Sequence, residues 1–209
     1  MKFYDCSTAP SPRRARVFIA EKGIEIETIQ IDLRNGEQLS DAFRQINRYC
    51  TVPVLRLDDG TTYTNTAGIR AYLEALYPEP ILMGRTAQEK GRIADLQWRI
   101  ETEGMMAMAE ALRNSVPGLK GRALTGPQAY EQIPQLAERG RARVERFLAG
   151  IEDLVGVKPF VAGDLYSVAD IDLMVVVDFA SWLKMELPND AVNARRWHEA
   201  VSARVSAKL

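Results

Sequence analysis

The sequence predicts an α/β plus all-α protein: an N-terminal βαβ–ββα domain over residues 1–80, followed by an all-helical C-terminal domain over residues 86–209. Three observations carry this. Strand and helix patterns alternate over the first 78 residues. A proline, Pro53, stands directly ahead of the β-branched run Val54–Leu57, where a residue without an N–H is tolerated only at a strand's first position, an edge or a bulge. After "YPEPILMGRT" the strand pattern stops, apart from a short extended stretch near Phe160, and apolar residues recur at helical spacing.

In order along the chain, Lys2–Asp5 predicts a short strand, and Arg13–Lys22 a helix that stops at Gly23. Glu25–Asp32 predicts a second strand, since Ile26, Ile29 and Ile31 follow Ile24 with near alternation. Leu39–Ile46 predicts a short helix, capped at Ser40 or just before it. Asp58-Asp59-Gly60 is turn chemistry between Val54–Leu57 and Thr61–Thr64, which makes a hairpin. Thr64-Asn65-Thr66 then supplies capping side chains ahead of Ile69, Tyr72, Leu73 and Leu76, the apolar face of a third helix. This order implies a four-stranded sheet whose first two strands run parallel across a right-handed crossover. A strand start stripped of a hydrogen bond thus lies close in sequence to a hydroxyl-rich helix tip, a place for a ligand.

In the second half, Thr86–Asn114 is long, proline-free and periodic through Ile93, Leu96, Ile100 and Met105/Met108. Pro117–Pro127 reads as a loop, and Pro127–Val155 as a second long helix that Pro134 and Gly140 disturb. Ser167–Asp170, "SVAD", is a capping box ahead of the most apolar helix, Ile171 to Leu183. A last amphipathic helix runs over residues 190–205.

Composition excludes several functions. The 209 residues carry 27 basic and 28 acidic side chains, a formal net charge of −1, which gives no reason to expect a nucleic-acid or membrane partner. No apolar run approaches the roughly 20 residues of a membrane helix, and the N-terminus does not read as a signal peptide. Cys6 and Cys50 are too few for a disulfide framework or a metal cluster, so no metal is expected and the setting is reducing and cytoplasmic. His198 is the sole histidine, with no nucleophile elbow to complete a triad.

Three segments carry a family resemblance: "SPRRARVFIAEKGIEIE", "INRYCTVPVLRLDDGTTYTNTAGIRAYLE" and "FVAGDLYSVADIDLMV". In this order and spacing the chain resembles the glutathione transferase superfamily, which implies a thioredoxin-like N-terminal domain, glutathione as co-substrate, an apolar electrophile as second substrate, and a homodimer. In that family the Val-Pro bond is cis and the valine backbone pairs with the cysteinyl part of glutathione; by resemblance these are Val52 and Pro53. The family's Glu-Ser at the third helix is Asn65-Thr66 here. The resemblance assigns them the γ-glutamyl end, with Thr66 as hydroxyl donor and Asn65 lacking the charge assistance of a glutamate. On the zeta-like pattern Gln38 falls at the glycyl end.

The group that favours the thiolate stays open. A free thiol titrates near pH 8.5, and the resemblance implies a donor between first strand and first helix that lowers this value. Zeta or omega spacing lands on Ala9, which has no donor; beta-like spacing lands on Ser11, the preferred catalytic residue, with Ser7 and Thr8 also in reach. Arg13, Arg14 and Arg16 open this helix, and two of the three are expected on a solvated face. The resemblance also admits a glutathione-dependent thiol-disulfide or peroxide reductase, and a non-catalytic binding protein of the stringent-starvation type.

Overall fold

The structure is a computed structural model that describes all residues, 1–209. The chain forms two compact units, one of Met1–Pro80 with Thr125–Ala129 and Leu209, the other of Ile81–Leu124 with Tyr130–Lys208.

In the first unit, β1 (Lys2–Asp5), α1 (Pro10–Glu21) and β2 (Glu27–Gln30) are followed by a 3-10 turn (Glu37–Leu39) and α2 (Asp41–Arg44). The hairpin of β3 (Val54–Arg56) and β4 (Thr62–Tyr63) then leads into α3 (Thr66–Leu76). The strands lie in the order β2-β1-β3-β4, with β1 and β2 parallel and the other neighbours antiparallel. The register pairs Phe3 with Leu55 and Tyr4 with Val54. Because side chains alternate across a strand, Phe3 and Tyr4 face opposite layers. Tyr4, Ile31, Phe43 and Val54 form one apolar cluster, with Leu33, Ile46 and Val52 packed on it. The Tyr4 and Phe43 rings meet edge to face at 6.3 Å.

The second unit holds α4 (Ala87–Arg99), α5 (Met106–Arg113), α6 (Pro134–Val155), α7 (Val168–Ala180) and α8 (Val192–Ser202). Val168, Ala169, Ile171, Leu173 and Met174 of α7 are wholly buried, so α7 is the axis about which this unit packs. None of the helices is long and apolar enough to cross a membrane.

The predicted fold class is the one observed, and the differences are local. The helix expected over Leu39–Ile46 is shorter, because Ser40 accepts from Phe43 N–H at 3.2 Å and starts α2 after a separate 3-10 turn. The helix expected from Thr86 to Asn114 is interrupted by a π segment over Ile100–Met105. There Gly104 lies so close to α6 and α7 that a Cβ would meet Phe147 Cε1 at 2.7 Å. Pro134 starts α6 instead of disturbing it: without an N–H, proline suits a first helical position and excludes helix before it. Gly140 leaves α6 intact and allows close approach to α5, where a Cβ would meet Ala111 N at 2.5 Å.

The arginines of α1 also differ from expectation. Arg16 forms two bonds to the buried Asp5 carboxylate, at 2.6 and 2.8 Å, and Arg14 is 6% exposed. Neither lies on a solvated face. A buried carboxylate at the end of β1 requires a charged partner, and Arg16 is one turn into α1 to supply it.

Candidate functional site

The site is built from the start of α1, the segment before β3, and the start of α3. Ala9 is the N-cap of α1 and makes no side-chain cap bond. Pro10 and Pro12 follow in the first turn, and neither has an N–H. Arg13 N–H is bonded to Ala9 C=O at 3.2 Å. Ser11 is left with the one open amide of that turn, at the positive end of the helix. Its Oγ accepts from Arg14 Nη2 at 3.4 Å, which leaves the serine proton able to point elsewhere.

Ser11 is also tied to α3. Thr66 Oγ1 donates to Ser11 C=O at 3.2 Å, and Arg70 Nη2 donates to Arg14 C=O at 2.8 Å. The two helix tips are therefore joined by a threonine hydroxyl and by a fully buried arginine. The Thr66 hydroxyl proton is committed to Ser11 C=O, while its backbone N–H has no partner in the protein. Asn65 caps α3, its Oδ1 accepting from Gly68 N–H at 2.8 Å. Above that cap the N–H groups of Thr66 and Ala67 have no partner in the protein.

The Val52–Pro53 peptide bond is cis. Pairing of β3 with β1 begins only at Val54, and neither the N–H nor the C=O of Val52 is hydrogen-bonded within the protein. Val52 is half-buried, so this unpaired backbone is reachable by a ligand that presents an extended chain. Gln38 is 9% exposed, and its Oε1 is buried with no hydrogen-bond partner. A buried acceptor without a donor is costly, so this oxygen is suited to a ligand N–H. No hydrogen bond links Gln38 or Val52 to the joined tips of Ser11 and Thr66; Val52 packs on the apolar cluster that holds Phe43.

The other donors considered for the thiol lie ahead of α1. Ser7 and Thr8 are exposed; Ser7 N–H bonds Gln30 Oε1, and Thr8 Oγ1 lies 3.5 Å from Cys6 Sγ. Cys6 and Cys50 are both buried free thiols, and Cys50 holds a left-handed φ of 54°. Sequence reasoning missed the open Ser11 amide and the Arg70–Arg14 support. The first was legible, since Pro-Ser-Pro at a helix start leaves one amide by arithmetic; nothing marks Arg70 as buried.

Comparisons with known proteins point to one family. Residues 8–76 match the family described as "Glutathione S-transferase, N-terminal domain". Glutathione S-transferase 2 of Saccharomyces cerevisiae is 32% identical over 213 residues, covering 100% of this chain and 88% of that protein. The crystal structure of Gtt2 from Saccharomyces cerevisiae superposes with a TM-score of 0.90 at 31% identity, covering 100% of this chain and 99% of that one. A glutathione S-transferase domain-containing protein of Marinobacter aquaeolei gives a TM-score of 0.90 at 30% identity, covering 99% of each chain. With open amides at two joined helix tips, an unpaired backbone at Val52, and similarity that runs the full length of the chain, this protein belongs to the glutathione S-transferase superfamily.

Proposed function

We propose that the protein is a glutathione transferase that conjugates the thiolate of glutathione to a soft, apolar electrophile. The observations that carry this reading are the joined helix tips with open amides and the unpaired, strand-like backbone at Val52. A tripeptide with an anionic end and a thiol fits such a surface. The Val52 N–H and C=O pair with the cysteinyl residue beside Pro53. The Thr66 and Ala67 amides hold the γ-glutamyl carboxylate, and Asn65 adjoins its ammonium group. Gln38 Oε1 accepts from the glycyl N–H.

The sulfur then lies at the tip of α1. Ser11 offers its N–H and its hydroxyl there, and the α1 dipole adds to both. These groups favour the thiolate over the thiol, so the thiol proton leaves to solvent near neutral pH. The sulfur lone pair forms the new C–S bond as the leaving group departs with its electron pair. In this reading residues 1–80 are the glutathione-binding domain and residues 86–209 the helical domain of a cytoplasmic homodimer. Burial of both cysteines speaks against the reductase alternative that runs through a reactive protein thiol.

Calorimetric titration with glutathione, paired with turnover of 1-chloro-2,4-dinitrobenzene and of cumene hydroperoxide, tests the reading. Saturable binding with conjugation of the chloroarene supports it. Peroxide turnover alone would move the protein to the reductase class, and no binding would leave the binding-protein alternative. Light scattering at twice 23.4 kDa checks the dimer.

A further inference from the structure

A cavity lies wholly within the helical unit. It has a volume of about 660 Å³ and is walled by the last turn of α7, the segment that follows, and α8. That volume is in the range of sites for drug-sized molecules. Its apolar part is formed by the buried Val177 and Leu187 with Met185, a side chain that adapts to irregular shapes.

The charges around it are unbalanced. Asp178, Glu186 and Glu199 line it, against Arg195 and His198. Arg195 neutralises none of the three. Its Nε donates to Pro188 C=O at 2.9 Å, and its Nη2 donates to Leu187 C=O at 2.7 Å and Asn189 Oδ1 at 2.9 Å. Glu186 and Glu199 are in no ion pair or hydrogen bond. Asp178 Oδ1 lies 2.7 Å from His198 Nε2. The wall is also the negative end of a helix, for Asp178 is in the last turn of α7 and Ser181 is its C-cap. Cations are favoured at that end and anions are not. An apolar interior, two uncommitted carboxylates and a helix C-terminus all select one ligand class.

We propose that this cavity binds a small organic cation with a flat apolar body. The charge class is opposite to that of glutathione, which carries a net negative charge at neutral pH, so the two sites do not compete. This inference does not depend on the proposed transferase reaction.

The test uses proflavine as the cation and 8-anilinonaphthalene-1-sulfonate, an anion of similar apolar area that should not bind here, titrated by fluorescence into the full-length protein both without and with saturating S-hexylglutathione. The expected result is saturable one-to-one binding of proflavine. The paired substitution Glu186→Gln with Glu199→Gln weakens it about tenfold, as loss of two exposed charge contacts implies. Both side chains are exposed, so the variant folds, and an unchanged unfolding midpoint verifies that. A crystal of the protein soaked with proflavine places the ring between α7 and α8. The proposal is overturned by any of three results: no saturable proflavine binding, displacement of proflavine by S-hexylglutathione, or equal proflavine affinity in the paired variant.

Discussion

Helices α1 and α7 begin in opposite ways. At α7 every amide of the first turn is satisfied: Val168 N–H bonds Leu82 C=O at 3.0 Å, Ala169 N–H bonds Ser167 Oγ at 3.3 Å, and Asp170 N–H bonds Ser167 C=O at 3.0 Å. Asp170, wholly buried, accepts in turn from Ser167 N–H and Oγ–H, from Val161 N–H and from Trp197 Nε1–H. Burial pushes its pKa up, while these four donors pull it down. At α1 no side chain caps, and the Ser11 amide is left open. A saturated helix start fixes the fold; an unsaturated one, held in place from behind, is available to a ligand. Joining α1 to α3 through Thr66 and Arg70 is what allows α1 to stay open without fraying.

This contrast can be broken at either end. Asp170→Ala strands four buried donors at once and should cost the most, about 3 kcal/mol or more of unfolding free energy, read by denaturant titration. Below the unfolding transition its glutathione affinity should match the parent's. Ser11→Ala removes one hydroxyl from the open tip, where a bond to a charged partner contributes about 1.5–3 kcal/mol, so kcat/KM should fall roughly tenfold to a hundredfold. The unfolding midpoint should not move. A Ser11→Ala enzyme with full activity would assign the thiolate to the backbone amide alone.

Thr66→Val sharpens the comparison by cutting the link between the tips. A lost hydrogen bond to Ser11 C=O predicts about 1 kcal/mol of destabilisation together with a raised KM for glutathione, and Thr66→Ser should restore both. The smallest effect is expected where capping is supplied from a distance. Glu152 of α6 accepts from Ala194 N–H at 2.9 Å and from the Asn193 N–H and side-chain amide, and caps α8, which has no side-chain cap of its own. These bonds, that from Ala194 foremost, hold its pKa below the ordinary 4.5. A folded-state value below the unfolded one means stability that is present above the unfolded pKa and lost as pH falls. Between about pH 6 and about pH 3 the parent should therefore lose more stability than Glu152→Gln, measured by thermal unfolding across that range.

Much of this was legible in the residues. The four-stranded sheet with a parallel first pair followed from the βαβ and ββα pattern, the turn from Asp58-Asp59-Gly60, and the cap of α7 from Ser167 and Asp170, because each is a local pattern with one physical solution. The positions of Asn65, Thr66 and Ser11 at helix tips were legible for the same reason. What they bond to was not. Thr66 spends its hydroxyl on a residue 55 positions earlier, and Arg14 and Arg16 go inward because of Asp5 and Ser11. Such long-range pairings leave no periodic trace. The π segment escaped too, since one residue inserted into a turn shifts an apolar stripe by less than the stripe's width.

Pro10 and Pro12 have one more consequence. By removing the amides on either side of Ser11 they narrow the tip of α1 to the donors of one residue, the Ser11 N–H and its hydroxyl. Carboxylate and phosphate groups, which gain by spreading over donors of several residues, gain little here, whereas a thiolate, whose charge sits on one sulfur atom, loses nothing. The prolines thus act as a filter on the shape of the anion, and they do so without touching it.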